Sequence, residues 1–374
     1  MTTAINFGAL KGIGKEVLCT PNESGVTISI DQTIDIQINC FFPHHQDSRY
    51  SLNNYSAWIA YNKDGGQEQL SALKKNKTFG YILPVNSLID GTAFTENEFS
   101  VAYARAAIES IFFKGIADHQ TNDKLITEKP GEICISELIL SANTTSIVVV
   151  HNGIMTNENI SKDGLFISLA GRAITQIEPE NESHCSASEY SKSIIINCIS
   201  KELAHKEKII QSLLTLATNQ KSPFSKYLMI YQIIEILIND IFTKEMESIK
   251  SDEKFTSSAW NMKKKLSEIT AESHRISLLH DHYQPGQKDQ CFSVFTDKVS
   301  SFLQEHTLSE VHIEVKTWPQ AVYKLRNSIV HNQGAMLDSD LFELESICHY
   351  FRQCCIKLTQ NYTKRRNLGG HALA

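Results

Sequence analysis

The sequence lacks several features that would assign it to a class of protein. Its 9 cysteines are scattered without a Cys-x-x-Cys pair, and the adjacent Cys354 and Cys355 cannot join in a relaxed disulfide. A disulfide framework or a zinc site is therefore not expected, and reduced thiols in a cytoplasmic protein fit best. The first residues lack a basic start followed by an apolar run, which predicts no secretory signal.

The chain also lacks a long apolar run free of charge. The most apolar stretch, residues 224–242, contains Lys226, Glu235 and Asp240, which predicts a buried helix and not a membrane span. Gly12-Ile13-Gly14-Lys15 lacks the upstream glycine of a phosphate-binding loop. No carboxylate cluster and no Cys/His spacing indicates a metal site. We therefore expect no membrane contact, no cofactor and no metal.

What is present is the composition of a globular protein long enough for two domains. The 374 residues are 41% hydrophobic and 21% charged, with a net charge of −6 that argues against coating nucleic acid by bulk charge. Residues 1–200 carry 14 Lys and Arg against 22 Asp and Glu, a net of −8; residues 201–374 carry 22 against 20, a net of +2. Different partners for the two halves are indicated.

The front half has the pattern of a mixed domain in which strands dominate. Isoleucines at even positions from Ile28 to Ile38 predict a hairpin turning near Asp31-Gln32, or one long strand. Apolar spacing over 97–115 predicts a helix. Further strands are expected at 57–61, 80–85, 133–140, 146–150, 165–169 and 173–177.

The back half is predicted to be a bundle of about six helices. The polar segment 178–188 separates it from the front half, which gives an α+β protein with a mixed domain over 1–190 and an all-α domain over 191–374. Residues 193–198 are compatible with a last strand or a helix start. Helices are expected over 199–219, from Ser222-Pro223 to about 248, and over 260–280, 291–306, 319–331 and 339–362.

Three places combine an arginine with a later histidine, with four to six residues between them. They are Arg275 with His280 and His282, Arg326 with His331, and Arg365-Arg366 with His371. Spacing alone cannot choose among them. The last lies at the chain end beside two glycines, and the first beside a loop, where helix capping or a solvated role is the simpler interpretation.

Arg326 lies in a more distinctive setting. On a helical wheel Val322, Leu325 and Ile329 form an apolar stripe, while Tyr323, Asn327 and His331 follow one edge. An arginine on the apolar flank is costly unless its guanidinium reaches water, a carboxylate or an anion. The alternative to a phosphate site is a core helix in which Arg326 pairs with Glu235 or another acid, and His331 caps the helix end.

The segment from Lys324 to Asn332, which contains Arg326-Asn327 and His331, resembles the Arg-(polar)-x-x-x-His signature of HEPN domains. The aromatic helix upstream, with Phe224, Tyr227, Tyr231, Gln232 and Glu235, is similar to the second helix of the Apea-like HEPN branch. The resemblance covers about residues 200–362 and does not extend to residues 1–190.

The resemblance implies a metal-independent endoribonuclease in which two domains dimerise and share one cleft. Arg326, His331 and Asn327 would be catalytic, with Tyr323, Glu235 and Tyr231 in support. The RNA 2′-hydroxyl would attack the adjacent phosphate, which Arg326 would clamp while His331 moves a proton. Arg326 and His331 lie about 140° apart on a straight helix, and a two-fold site built from both protomers would ease this separation.

By analogy of architecture, the front half would be a sensor or specificity domain that binds a protein or small-molecule trigger and controls the nuclease. Such a protein would act in bacterial anti-phage defence or as an RNA-cleaving toxin. Two alternatives remain open. The helical half could be a catalytically inactive module for dimerisation or nucleotide binding, or the chain could be one subunit of a larger assembly that its front half joins.

Overall fold

The computed structural model describes most of the helical half and the regular elements of the front half. The described residues are 3–4, 17–21, 25–30, 36–41, 51–61, 68–72, 77–90, 92–94, 98–117, 119–121, 132–134, 139–142, 144–176, 193–251, 258–281, 283, 289–306, 315–332 and 338–363.

The chain divides into two compact units, and together they form an α+β fold. Unit 1 takes Met1–Leu165, Ala173–Pro179 and Ser186–Asn197; unit 2 takes Phe166–Arg172, Glu180–Cys185 and Cys198–Ala374. The predicted fold class, a strand-rich front half followed by a helical region, is confirmed. The predicted boundary near residue 190 lies close to the last division, but a short segment around Phe166–Arg172 belongs to unit 2.

Twelve strands lie within the described part of unit 1. They are β1 Thr3–Ala4, β2 Val17–Pro21, β3 Gly25–Ile30, β4 Ile36–Phe41, β5 Tyr55–Ala60, β6 Glu68–Ala72, β7 Lys77–Pro84, β8 His119–Thr121, β9 Glu132–Cys134, β10 Ile139–Ala142, β11 Ser146–His151 and β12 Ser193–Ile196.

Eleven α-helices lie within the described residues. They are α1 Val85–Ile89, α2 Glu98–Lys114, α3 Asn152–Glu158, α4 Lys162–Ala170, α5 Glu207–Asn219, α6 Pro223–Ser251, α7 Ala259–Thr270, α8 Glu272–Asp281, α9 Gln290–His306, α10 Trp318–Asn332 and α11 Asp338–Asn361. Short 3-10 helices cover Leu52–Asn54, Thr92–Phe94 and Lys201–Lys206.

The isoleucine alternation forms a hairpin and not one long strand. Strands β3 and β4 pair antiparallel with Ile30 opposite Ile36 and Ile28 opposite Ile38, and the predicted turn near Asp31-Gln32 lies outside the described residues. They belong to a five-stranded sheet of order β1-β2-β3-β4-β9, in which β9 runs parallel to β4. The period of two in the sequence is therefore the period of a sheet.

A second sheet, of order β12-β6-β7-β11-β5, carries α2 on β5, β7 and β11. Gly80 lies in β7, where a Cβ would stand 2.6 Å from the carbonyl oxygen of Val149 on β11. The close approach of those two strands therefore requires glycine. Of segment 193–198, left open by the sequence, Ser193–Ile196 forms β12, which runs parallel to β6.

Two of the predicted strands are wrong. Residues 165–169 lie in helix α4, because the Ser161 hydroxyl accepts the Gly164 N–H at 2.9 Å and starts a helix that the apolar run continues. Of 173–177, Thr175 forms only an isolated bridge with Tyr61, and Ile177 lies outside the described residues. Of the predicted strand 133–140, Ile133-Cys134 lie in β9 and Ile139-Leu140 in β10, whereas 135–138 lie outside the described residues.

In unit 2 the helices pack around α6, which contacts α5, α7, α8, α10 and α11. Its Ser222-Pro223 start is confirmed. Two predicted helices are broken: 199–219 begins with a 3-10 turn, and 260–280 divides at Ala271, whose backbone is extended. Within the described residues, no helix combines the length and apolar character needed to cross a membrane.

Candidate functional site

Helix α10 carries the Arg/His motif, and its apolar stripe is buried as the wheel predicts. Val322, Leu325 and Ile329 are completely buried in the core of unit 2. Arg326 is half-buried, whereas Val330 is 47% exposed and His331 is exposed. The flank that carries Arg326 therefore runs from the core at Val322 to solvent at Val330, and the arginine lies at the rim.

The Arg326 guanidinium lies over an aromatic ring. Its Cζ is 6.0 Å from the ring centroid of Tyr231 on α6, and its Nη1 donates to Oδ1 of Asn327 at 3.2 Å. No Asp or Glu among the residues that the structure describes forms an ion pair with it. A half-buried cation held by a ring and an amide, and not by a carboxylate, is suited to binding an anion.

Tyr231 is buried, and it links α6 to α8. Its hydroxyl donates to Oε1 of Glu272 at 2.5 Å. Burial, and then the hydrogen bond to Glu272, raise the pKa of Tyr231 well above its ordinary value, while Arg326 opposes the rise. The phenol therefore stays protonated at physiological pH and keeps its donor role towards Glu272.

Glu235 lies one turn along α6 from Tyr231 and is exposed. Its charge contributes to the raised pKa of Tyr231, so it stands near this hydroxyl. It forms no ion pair with Arg326, and the pairing that the core-helix alternative names is not made. Glu235 thus borders the cluster as a solvated carboxylate.

Tyr323 and Tyr227 connect α10 to the core. Tyr323 is half-buried and packs against the core of unit 2. Tyr227 is completely buried, stacks on Phe351 at 4.8 Å, and donates its hydroxyl to the carbonyl of Val322 at 3.2 Å. Because Val322 lies one turn before Arg326, this bond fixes the register of α10 against α6.

The structure does not bring His331 to Arg326. Helix α10 is continuous through both residues, and His331 points into solvent from the last turn of the helix. Their five-residue separation keeps them about 140° apart around the axis. One group within the chain, which we call the Arg326 cluster, is therefore formed by Arg326, Asn327 and Tyr231, and His331 lies outside it.

The sequence pattern did not indicate Glu272 as part of this site. Its periodicity predicts one helix over 260–280 with this residue in the middle, whereas Glu272 is the first residue of α8. The Ala271 break brings its carboxylate to Tyr231. An acid at a helix start was the available signal, but recognising it required knowing where the helix begins.

Arg275 and His280, of the first Arg/His combination, both contact other side chains of unit 2. Arg275 lies over Phe242 at 5.5 Å and donates to Asn239 at 3.4 Å. His280 contacts Asp281 at 2.8 Å and stacks on Trp318 at 6.0 Å. His282 and the Arg365-Arg366/His371 place lie outside the described residues.

Within the described part of the chain, no group of three His, Cys, Asp or Glu side chains is arranged to hold a metal ion. No family model, no curated protein and no solved structure matches the chain.

Proposed function

We propose that the chain is a metal-independent endoribonuclease of the HEPN type, controlled by its N-terminal unit and acting in bacterial anti-phage defence or as an RNA-cleaving toxin. The observation that carries the proposal is Arg326. Its guanidinium is half-buried over Tyr231 and forms no ion pair with a described carboxylate, so it is available to a phosphate.

In the proposed reaction, Arg326 and His331 have separate roles. The 2′-oxygen of RNA attacks the adjacent phosphorus, the new O2′–P bond forms, and the P–O5′ bond breaks to leave a 2′,3′-cyclic phosphate. Arg326 binds the phosphate oxygens whose charge grows in the transition state. His331 carries an imidazole, the side chain used most often for proton transfer in catalysis, and moves the proton from the 2′-hydroxyl towards the leaving 5′-oxygen.

The remaining residues position Arg326. Asn327 accepts one guanidinium N–H, and the Tyr231 ring lies beneath the cation. Glu272 holds the Tyr231 hydroxyl and so fixes the ring. Tyr323, half-buried against the core, and Glu235, exposed one turn from Tyr231, are assigned supporting roles beside Arg326.

Because His331 points away from Arg326, the site is proposed to form between two copies of the chain. The exposed apolar side chains Val330 and Phe342, 47% and 76% exposed, flank this end of α10 and the start of α11 and would be covered in the dimer. In this arrangement His331 of each copy serves Arg326 of the other. The N-terminal unit would bind a protein or small-molecule trigger, in the cytoplasm.

The second candidate function is a catalytically inactive HEPN module for dimerisation or nucleotide binding, within a larger assembly. The observation that favours it is the exposed His331, which contacts no described residue near Arg326. An available arginine would then bind a phosphate without cleaving it.

The deciding experiment is RNA cleavage with EDTA present, comparing the wild type with His331→Ala. The control is His205→Ala, because His205 is also exposed near a helix end. We expect cleavage by the wild type and by His205→Ala, with a loss of at least ~100-fold in His331→Ala. Wild-type activity that EDTA abolishes and magnesium restores, or no cleavage at all, would reject the proposed mechanism.

A further inference from the structure

One side of helix α7 is exposed to solvent. Of its twelve residues only Ile269 is buried. Trp260, Lys263, Lys264 and Ser267 are exposed, and their spacing of three and four residues aligns them on one side of the helix. We call this set the α7 face.

The charge of the α7 face is purely positive. Lys263 and Lys264 form no ion pair with a described residue, whereas Lys265, towards the inner side, pairs with Glu268 at 3.7 Å. The helix contains three lysines and one glutamate, and the glutamate is thus already engaged. Two ammonium groups that form no ion pair within the described part of the chain offer an attractive surface for a polyanion.

Trp260 is 73% exposed and lies between these lysines and the start of the helix. The Trp318 side chain, by contrast, is buried against Phe292 and Phe295. An exposed indole beside two lysines offers a flat ring on which a nucleobase can stack while the phosphates meet the ammonium groups. A lipid or a protein would use the indole edge or its apolar area instead.

The α7 face leads towards the Arg326 cluster. Helix α7 ends at Thr270, and after Ala271 the next residue is Glu272, which accepts the Tyr231 hydroxyl beneath Arg326. From Trp260 to Thr270 the helix rises about 15 Å. At about 3.4 Å per nucleotide of a stacked strand, that distance corresponds to roughly four nucleotides.

We propose that the α7 face binds single-stranded RNA to one side of the Arg326 cluster, with Trp260 stacking on a base and Lys263 and Lys264 on phosphates. This inference rests on the proposed function, because it names where that site holds its substrate. It makes the RNA strand, and not a second protein, the occupant of the exposed helix.

The test is binding of a fluorescent 2′-O-methyl single-stranded RNA to the full chain, measured by anisotropy at several salt concentrations. This RNA has no free 2′-hydroxyl, so binding is read without cleavage. We expect Lys263→Gln/Lys264→Gln to weaken binding and to reduce the slope of log K against log salt by about 1.4, or ~0.7 for each phosphate contact. Lys201→Gln/Lys208→Gln, also exposed, should bind as the wild type does.

Trp260 variants identify the type of contact. Trp260→Ala and Trp260→Leu should each weaken binding by about 5- to 100-fold, the scale of one stacked base, while Trp260→Phe retains most of the affinity. RNA should quench tryptophan emission in the wild type and not in Trp260→Phe. All variants should keep the wild-type melting temperature within a few degrees, because the changed side chains are exposed.

Several outcomes would overturn the inference. If the lysine variant keeps the wild-type affinity and salt slope, RNA does not bind to the α7 face. The same conclusion follows if Trp260→Leu binds RNA as tightly as the wild type does. A loss of dimer mass in Trp260→Ala would assign the face to a second copy, and binding of anionic vesicles in place of RNA would assign it to lipid. If the wild type cuts no RNA but the α7 variants lose RNA binding, the ribonuclease proposal fails and the α7 inference stands.

Discussion

Two clusters on helix α6 use the same parts and differ in one respect. Near the middle of the helix, the Tyr231 hydroxyl donates to Glu272 at 2.5 Å and Arg326 lies over its ring at 6.0 Å. Further along, the Tyr362 hydroxyl donates to Asp240 at 2.6 Å and Lys244 lies over its ring at 4.7 Å.

The difference lies in the carboxylates around the cation. Lys244 contacts Asp240 at 2.7 Å and Glu202 at 3.8 Å, so its charge is balanced within the fold. Arg326 contacts Asn327 and no described carboxylate. The Lys244 cluster joins α6 to the end of α11 and to the 3-10 turn at Lys201–Lys206, which is a structural role. The positive charge of Arg326 is left to be balanced by a group outside the fold, such as a bound anion.

The largest expected effect is the loss of RNA cleavage when Arg326 is replaced. Arg326→Ala should lower the rate of RNA cleavage by at least ~100-fold, and Arg326→Lys nearly as much, because an ammonium lacks the planar fork. Combining Arg326→Ala with His331→Ala should cost little more than either alone, since the two groups act as one unit. Single-turnover kinetics measure this. Additive losses would separate the two residues.

For stability, replacing Lys244 is expected to have a larger effect than replacing Arg326. Lys244→Ala leaves Asp240 and Glu202 without their cation and should lower the free energy of unfolding by about 2–3 kcal/mol. Arg326→Ala breaks no ion pair with a described carboxylate and should cost less than about 1 kcal/mol. Urea unfolding of both variants checks the comparison. A larger loss from Arg326→Ala would return this residue to the core-helix alternative.

The two tyrosines sharpen the same contrast. Tyr231→Phe and Tyr362→Phe each remove a hydrogen bond to a carboxylate and should each lower the free energy of unfolding by about 1–2 kcal/mol. Only Tyr231→Phe should also slow cleavage, by roughly tenfold, because Glu272 no longer fixes the ring under Arg326. Equal rates in the two variants would show that Tyr231 does not position Arg326.

The smallest effect depends on pH. Burial, followed by the hydrogen bond to a carboxylate, raises the pKa of both Tyr231 and Tyr362 in the fold. A raised pKa contributes stability that is complete below about pH 10, the unfolded value, and is lost as the pH rises further. The penalty of each Phe substitution should therefore shrink by about 1 kcal/mol between pH 9 and pH 11. Urea unfolding at both pH values measures it; a constant penalty would contradict the pKa direction.

Sequence periodicity predicted the helices of unit 2 because their packing faces repeat every three to four residues, as in Val322, Leu325 and Ile329. It failed at 165–169, where an apolar run has the same composition in a strand and in a helix, and the Ser161 cap decided between them. The aromatic helix and Arg326 were both found from sequence. Their contact with Glu272 was not, because the Ala271 break and the approach of α8 to α6 are tertiary facts.

The single buried side chain of α7 affects how unit 2 unfolds locally. Helix α6 buries thirteen residues, whereas α7 buries only Ile269. Local unfolding of α7 therefore exposes little apolar area, and its amide hydrogens should exchange with solvent long before those of α6. A strand that binds to α7 would add to its protection, so hydrogen exchange would report occupancy of this helix as a cooperative unit separate from the core.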